Sequence, residues 1–392
     1  MVKRKKAIKP PIKRRGIDAV DTLPNDDDPI LGEICRRHSI KHNGFDPYFG
    51  ESLKPATAVH QSGEGGMLPY GTNDIEAGVS EKYGSGSNEV LRKEQIRCCI
   101  KGCAEWLSKR HRKGRSANDC YCAKHGISVS NSPTYVYKDH ERNFIVKQDL
   151  LKQVHKVERW RLGNEKSEDA ISWNVFLSLQ GMNALGDFTE LVTGRKAEKE
   201  PVLYMWGNRI SGTGVGTWGE LLKLREHLEK GLQFATEPDI AIHVPGQFLM
   251  FCEAKFTSAN SIFKKGERAD SIAGLLSRYK PPTNNPDPLN RKYISALPED
   301  QVQQQLCRNV LFASWLAANN EDVWIVNLVR EVAETDVESR FRPCLTEQMQ
   351  SHFKRVTWEQ IYRMVKSKGS GGDLLCRYME TKTAGLVKAF NI

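Results

Sequence analysis

The second half of the chain alternates between helix-like and strand-like spacing of its apolar residues. From Ile171 to Leu179 the apolar positions recur at helical spacing, and Ser167 precedes them as an N-cap. Further along, two apolar runs with strand character are separated by three residues that favour a turn. The pattern predicts, in chain order, a helix after Ser167, a Gly-rich loop at 207–219, a helix at 220–234, strands at 239–244 and 248–256, a polar loop at 264–300, a helix at 301–318 and a buried strand at 323–329.

This order of elements is typical of a mixed α/β domain with a central sheet flanked by helices. Residues 1–90 combine a basic arm with a Gly/Ser-rich stretch and few regularly spaced apolar residues, so we expect a flexible N-terminal region. Residues 91–137 form a small Cys/His unit. We assign residues 138–340 to the α/β domain and residues 341–392 to a C-terminal helical extension.

Positive charge is concentrated in two short segments. The chain carries 58 Lys and Arg against 48 Asp and Glu, a net charge of +10. Residues 1–15 hold eight basic side chains and no acid, and residues 91–115 hold nine basic against two acidic. Such clusters suit a polyphosphate such as DNA, because neutralised phosphates release their counterions. A solubilising tail and a solvated face are the alternative interpretation.

The sequence offers no sign of a membrane or export segment. No apolar run reaches the ~18 residues that a membrane-spanning helix needs. No apolar stretch follows the basic N-terminus, as it would in a secretion signal. We therefore expect a cytoplasmic protein with no membrane partner.

Charged residues at the end of the second strand-like run are the unusual feature of this sequence. Side chains on a strand alternate faces, so Phe251, Glu253 and Lys255 point the same way. Burying such charges costs free energy unless they pair with each other or bind a metal. A structural ion pair in the sheet and a catalytic site are the two interpretations.

The loop between the two strands decides whether a second carboxylate joins this group. With a three-residue loop, Val244 pairs with Phe248, and Asp239 lies opposite Glu253. A two-residue loop would pair Asp239 with Cys252 and turn its carboxylate to the other face. Only the three-residue loop therefore builds a site of two carboxylates and a lysine.

Such a site has a clear chemical use. Two carboxylate oxygens suit Mg²⁺, or Mn²⁺ in its place, and leave positions for water and a phosphate oxygen. The cation polarises the phosphate and lowers the pKa of its bound water. The lysine can orient that water or stabilise the developing negative charge.

These residues resemble a known family. Pro238 and Asp239, followed by Glu253 and Lys255 at the end of an apolar strand, are similar to the PD-(D/E)XK, or restriction-endonuclease-like, nuclease superfamily. The resemblance covers about residues 165–329 and implies a restriction-endonuclease-like core, with a mixed central sheet flanked by helices. It also implies that Asp239 and Glu253 bind the catalytic Mg²⁺ and that Lys255 assists the attacking water.

The same resemblance points to further site residues. Many members carry a glutamate on the helix before the sheet, here Glu168, as a metal ligand; a simple cap contribution is the alternative. Some carry a polar residue on the following helix, for which Gln305 and Arg308 are the candidates, against a solvated helix face. The letters E-x-K alone are weak evidence, because Glu380 and Lys382 form the same match with no apolar strand before them.

The Cys/His unit contains six possible metal ligands within a short segment. Cys98 and Cys103 flank a turn that contains Gly102, and Cys122 with His125 forms a second chelating pair. Two such pairs are typical of a structural zinc ribbon, in which four ligands close a tetrahedron. The remaining two cysteines, Cys99 and Cys120, are alternates in this set.

The sequence therefore predicts a Mg²⁺-dependent deoxyribonuclease with a zinc-containing DNA-contact module, acting in restriction, another defence role or mobile-element processing. A repair or recombination nuclease that recognises DNA structure is one rival. A catalytically silent DNA-binding scaffold is another. DNA is the expected partner. The sequence contains no ATPase motif, so partner proteins could supply ATPase or recognition functions. A homodimer is also left open.

Overall fold

A computed structural model describes the chain over residues 68–77, 95–108, 120–130, 134–146, 148–154, 162–212, 214–230, 236–260, 272–280, 286–318 and 320–392. The basic segment at 1–15 and residues 109–115 of the basic segment at 91–115 lie outside these residues, as does most of the N-terminal region. The strands are β1 Gln95–Arg97, β2 Trp106–Ser108, β3 Ile127–Ser130, β4 Thr134–Tyr137, β5 Val202–Met205, β6 Asn208–Ile210, β7 Val215–Thr217, β8 Ile240–Val244, β9 Phe248–Ala254, β10 Asp322–Val329 and β11 Phe353–Thr357.

Seven of these strands form one mixed sheet, in the order β11-β10-β9-β8-β5-β6-β7. Strands β9, β10 and β11 are parallel to one another, and the remaining neighbours are antiparallel. The α-helices are α1 Gln148–Gln153, α2 Glu168–Gly181, α3 Leu185–Thr193, α4 Gly219–Leu228, α5 Ile272–Arg278, α6 Arg291–Ala296, α7 Gln304–Leu316, α8 Val337–Phe341, α9 Glu347–Gln350, α10 Trp358–Lys366 and α11 Asp373–Thr381. Short 3-10 helices lie at Thr72–Asp74, His140–Asn143, Glu299–Gln301, Arg342–Cys344 and Gly369–Gly372.

Strand β9 is buried along its whole length, and its two faces meet two different cores. Met250 and Cys252 pack with helices α2, α3, α10 and α11, whereas Leu249 and Phe251 pack with helices α4 to α8. Glu253 has the same parity as Leu249 and Phe251, so it continues the second face. Burial on both faces explains why the strand is a nearly continuous apolar run that ends in a charge.

Several predicted elements are confirmed, and others are wrong. The helix capped by Ser167 is present, and its hydroxyl accepts a hydrogen bond from the Ala170 N–H. The two strands of the hairpin and the later buried strand lie within two residues of their predicted bounds. The helix predicted at 220–234 is shorter, ending at Leu228, and the helix predicted at 301–318 starts at Gln304.

The Gly-rich segment predicted as a loop at 207–219 instead adds strands β6 and β7 to the sheet. These strands have three residues each, too few for a period of two to stand out. The polar segment predicted as a loop at 264–300 contains α5 and α6 in its described part. Helix α6 is capped by Asn290, whose side chain accepts from the Tyr293 N–H, a local signal that the prediction overlooked.

The segment expected as a C-terminal helical extension also contributes a strand. Strand β11 pairs in parallel with β10, with Ile325 opposite Phe353, so this segment supplies an edge strand of the main sheet. At the other end, residues 68–77 fall in the region expected to be flexible, yet they pack on the Cys/His unit. Ile75 forms a bridge with Ile100, and the Tyr70 N–H donates to the Tyr137 hydroxyl at 2.6 Å.

The hairpin between β8 and β9 has the predicted three-residue loop. Val244 pairs with Phe248, and the loop glycine, Gly246, has a φ of 80°, a conformation that suits glycine. Glu321 anchors this turn from outside, accepting from the Gly246 N–H at 2.7 Å and pairing with His243 Nε2 at 2.9 Å. Local turn geometry and one distant carboxylate therefore hold the strand register.

No helix in the described part of the chain is long and apolar enough to cross a membrane.

Replacing Glu321 with Gln should weaken the fold by about 1–3 kcal/mol at pH 7, because charge-assisted hydrogen bonds to the turn are lost. Burial alone would raise the pKa of Glu321, but His243 and the N–H groups of Gly246 and Ala318 outweigh it and lower the pKa to about 2. A lowered folded-state pKa stabilises the protein above the ordinary value of 4.5, and this contribution disappears as the pH falls towards 2.

Urea unfolding of wild type and Glu321→Gln at several pH values measures this difference, with the exposed Glu347→Gln as control. The difference in the free energy of unfolding should shrink as the pH falls from 4.5 to about 2. A difference that stays constant with pH would contradict the role of the Glu321 charge.

Candidate functional site

The hairpin register brings two carboxylates to the end of β9. Ile240 pairs with Cys252, so the next position places Asp239 opposite Glu253, as predicted for a three-residue loop. Asp239 lies just before β8, where its Oδ2 accepts from the Ala254 N–H at 2.9 Å. Asp239 is half-buried, whereas Glu253 is fully buried, so the site opens to solvent on the Asp239 side.

Lys255 forms a buried ion pair with Glu253 on the same strand face. Its Nζ donates to Glu253 Oε1 at 2.6 Å and to Gln305 Oε1 at 3.3 Å. The other oxygen of Glu253, Oε2, accepts from Asn309 Nδ2 at 2.9 Å. Helix α7 thus places two amide side chains, one turn apart, over the charged end of β9.

The electrostatics of the site keep Lys255 charged. Burial alone would lower the pKa of Lys255, but the charges of Glu253 and Asp239, the hydrogen bond to Glu253 and the more distant charge of Glu168 together raise it above its ordinary range. An ammonium surrounded by three carboxylates is therefore the stable form in this structure. The excess of negative charge is the kind of environment that a divalent cation neutralises.

Glu168 lies at the same end of the sheet but makes different contacts. Its Oε1 accepts from the Phe256 N–H at 2.9 Å, from the Ser258 N–H at 3.2 Å and from the Ser258 hydroxyl at 2.7 Å. The carboxylate therefore clamps the chain as it leaves β9. Among the described residues, Glu168 does not join Asp239 and Glu253 in a group whose ligand atoms all lie within 4.8 Å of one another.

The sequence prediction missed Asn309. It paired Gln305 with Arg308, three residues on, whereas the structure turns Gln305 and Asn309, four residues apart, towards the ion pair. The i to i+4 spacing of Asn309 from Gln305 was the available signal. Arg308 is half-buried and, among the described residues, forms no hydrogen bond or ion pair with the carboxylates; its buried Nε has no hydrogen-bond partner there either.

A second polar group that the sequence did not reveal lies beside Glu253. Asn327 is paired with Glu253 in the parallel register of β10, and its Nδ2 donates to Glu334 Oε2 at 2.7 Å. Glu334 also accepts from the backbone N–H of Asn260 at 2.7 Å. These contacts join the segments that follow β9 and β10, although their residues are 74 positions apart in the chain.

The second E-x-K match does not form a site. Glu380 accepts from the Tyr362 hydroxyl at 2.5 Å and pairs with Lys366 at 3.7 Å, both on helix α10. Lys382 is buried elsewhere, donating to Asn143 Oδ1 at 3.2 Å. The structure thus separates the two charged residues of this match, as expected for a chance occurrence.

The Cys/His unit gathers four possible metal ligands, and they are the four predicted. The ligand atoms of Cys98, Cys103, Cys122 and His125 all lie within 4.8 Å of one another. His125 Nδ1 lies 3.3 Å from Cys122 Sγ and 3.6 Å from Cys98 Sγ, and the thiols of Cys103 and Cys122 are 3.8 Å apart. Three thiols and one imidazole form a donor set that suits zinc.

The turns around these ligands are tight. Gly102 precedes Cys103 with a φ of 72°, and Gly126 follows His125 with a φ of 61°. The alternates Cys99 and Cys120 are buried outside the four-residue group. Burial raises the pKa of Cys99 to about 12, which keeps this thiol protonated.

Comparison with known proteins agrees with this architecture. The model of a family described as "Restriction Endonuclease associating with ARP" matches residues 107–382. No curated protein and no solved structure matches the chain. The matched segment contains the whole seven-stranded sheet, and its mixed topology with flanking helices is that of a restriction-endonuclease-like core. The family model matches more than half of the chain, so the chain belongs to this restriction endonuclease family.

Proposed function

We propose that the protein is a metal-dependent endonuclease that hydrolyses phosphodiester bonds in DNA. The observation that carries the proposal is the arrangement at the end of β9, with Glu253 and Lys255 paired on one face and Asp239 opposite them. A structural ion pair would need only Glu253 and Lys255. The half-exposed Asp239 across the hairpin supplies a carboxylate that such a pair does not require.

The donor set at this edge fits a divalent cation of the Mg²⁺ type. Asp239 and Glu253 offer hard carboxylate oxygens, and together they exceed the single positive charge of Lys255. Both residues would hold the cation. When bound, it supplies Lewis-acid polarisation of the phosphate and a more acidic water.

The chain's own residues then orient the reactants. The Lys255 ammonium lies between the carboxylates and Gln305, where it can donate to an incoming water or to a phosphate oxygen as negative charge develops. Asn309 keeps hold of the second oxygen of Glu253, which fixes the orientation of that carboxylate. Gln305 positions the ammonium rather than taking a proton, because an amide does not titrate.

In this proposal, the main role of Glu168 is to hold the segment after β9 in place. Its three hydrogen bonds to Phe256 and Ser258 hold the backbone directly after Lys255. All three hydrogen bonds end on Oε1, so a role as a further metal ligand would fall to Oε2. In this proposal, Glu168 contributes to catalysis through the shape of the site.

The Cys/His unit is proposed to bind one structural zinc ion. Its four ligands come from two separate turns, so a metal would join the strand pair β1–β2 to the hairpin β3–β4. Strand β4 in turn holds the segment that leads into the N-terminus of α2, since the Glu165 N–H donates to the Tyr135 carbonyl at 3.1 Å. The zinc unit would thus brace the helix that carries Glu168, in addition to contacting DNA.

The family description also suggests a partner. It names an association with ARP, and we propose that this protein likewise works with an ARP partner in restriction or another defence role. Incubating purified protein with plasmid and linear DNA, in Mg²⁺, Mn²⁺ or EDTA, tests the nuclease activity without that partner. Cleavage only with a divalent cation is the expected result.

Asp239→Asn and Glu253→Gln should each reduce cleavage at least about 10³-fold, because each removes a charged oxygen ligand whose cation contributes several kcal/mol. DNA binding should be retained. Single-turnover cleavage of a labelled duplex measures the rate. The matched control is Glu237→Gln, which neutralises an exposed carboxylate two residues before Asp239 and should cut normally. Full activity of both site variants would reject the assignment.

Lys255→Ala should lose about 10²–10⁴-fold in rate while keeping Mn²⁺ binding, since the ammonium assists the reaction without being a ligand. Lys255→Arg should rescue poorly, because a planar guanidinium does not reproduce the compact ammonium. Calorimetry with Mn²⁺ and single-turnover cleavage separate the two effects. If Lys255→Ala cuts at the wild-type rate, Lys255 is only a counter-charge for Glu253.

Protein purified without chelator should contain about one zinc per chain, and Cys122→Ser should release it and destabilise the Cys/His unit, because a structural metal supplies folding free energy to so small a unit. Metal analysis and hydrogen exchange over β1–β4 provide the measurements. Cys99→Ala should keep the zinc, because Cys99 lies outside the four-residue group. Zinc loss in Cys99→Ala, or an unchanged fold without metal, would contradict the assignment.

A further inference from the structure

The N-terminus of helix α7 lies at the catalytic edge of the sheet. Gln305, in its first turn, contacts Lys255, and Asn309, one turn later, contacts Glu253. The helix therefore runs away from the site, antiparallel to β9. The positive end of its macrodipole faces the edge at which the proposed reaction takes place.

Among the described residues, this helix end has no side-chain cap and no acid in its first turn. The N-cap residue Gln303 makes no side-chain cap hydrogen bond, and no acidic residue lies in the first turn. Helix α2, at the same edge, differs in both respects, with the Ser167 cap and Glu168 in its first turn. An uncapped N-terminus leaves backbone N–H donors available to an anion.

Two side chains of the same helix end carry buried donors without partners. Gln303 is only 3% exposed, and its Nε2 has no hydrogen-bond partner within the described ranges. As the N-cap residue, it lies directly at the helix end. Arg308, five residues further along the chain, has a buried Nε that also lacks a partner among the described residues. Unmet donors of this kind cost free energy unless a ligand satisfies them.

We propose that Gln303, Arg308 and the first-turn N–H groups of α7 form a phosphate-binding subsite for the DNA backbone. A phosphodiester offers two acceptor oxygens and one negative charge, which match an amide, a guanidinium and a helix N-terminus. The subsite lies at the same helix end as Gln305, so we assign to it a phosphate neighbouring the one that is cut. This inference rests on the proposed function and adds a contact that orients the bound strand.

The test measures binding of a fluorescent DNA duplex by the full-length protein in EDTA, by anisotropy at several salt concentrations. Arg308→Gln should raise the Kd about ten-fold and reduce the salt slope by about one, because one phosphate contact is lost. Gln303→Glu should also raise the Kd about ten-fold, because the new carboxylate would repel the phosphate. This is expected even though a negative charge stabilises an isolated helix N-terminus. Gln304→Glu brings the same charge to the half-buried first helical position and should act similarly if Gln303→Glu does not fold.

The control is Arg195→Gln, which removes an Arg that pairs with Asp322 at the opposite end of the central strands and should leave the Kd unchanged. Duplexes with 5′-phosphate and 5′-hydroxyl ends should bind equally, since the subsite takes an internal phosphodiester. A requirement for the 5′-phosphate would overturn that assignment.

Normal affinity and salt slope in Arg308→Gln, together with normal affinity in the folded glutamate variant, would reject the subsite. If wild type cleaves DNA in that case, the proposed function stands and only the subsite fails. A wild-type protein that neither binds nor cleaves DNA would reject both.

Discussion

A charged pair buried at the end of an apolar strand constrains the rest of the structure. Burying Glu253 and Lys255 is costly unless every charged atom is satisfied. The protein satisfies them with one contact between the two residues, two amides from α7 and a carboxylate across the hairpin. Each of these partners requires a particular element to be in register, so the pair and the surrounding architecture depend on each other.

The register of the β8–β9 hairpin is the first requirement, and it is held from the opposite end of the sheet. Glu321 fixes the turn at Gly246, and the five residue pairs of the β8–β9 hairpin separate this turn from Asp239. The segment that follows β9 is held separately: Glu168 accepts from Phe256 and Ser258, and Arg330 Nε donates to the Phe256 carbonyl at 2.7 Å. Strand β9 is thus held before and after its charged residues, which limits the positions that the carboxylates can adopt.

Local features of this site could be predicted from the sequence, whereas contacts between distant segments could not. The three-residue loop predicted the Asp239–Glu253 pairing, because turn length determines register. Spacing also gave, as the first choice, the four Cys and His residues that the structure groups, with Cys99 and Cys120 as alternates. Asn309 was missed because either an i+3 or an i+4 residue can face a partner. Strand β11 and the contact between Asn260 and Glu334 depend on pairing across many residues, for which one sequence carries no periodic signal.

The central claim is that Asp239 and Glu253 jointly hold a divalent cation beside Lys255. Crystals of the protein grown with Mn²⁺ and an uncleavable duplex test it directly through the anomalous scattering of manganese. The account predicts one strong anomalous peak in contact with oxygens of both carboxylates, with Lys255 Nζ outside the ligand set. Manganese bound elsewhere, with the Glu253–Lys255 pair unchanged and Asp239 in contact only with protein, would contradict it.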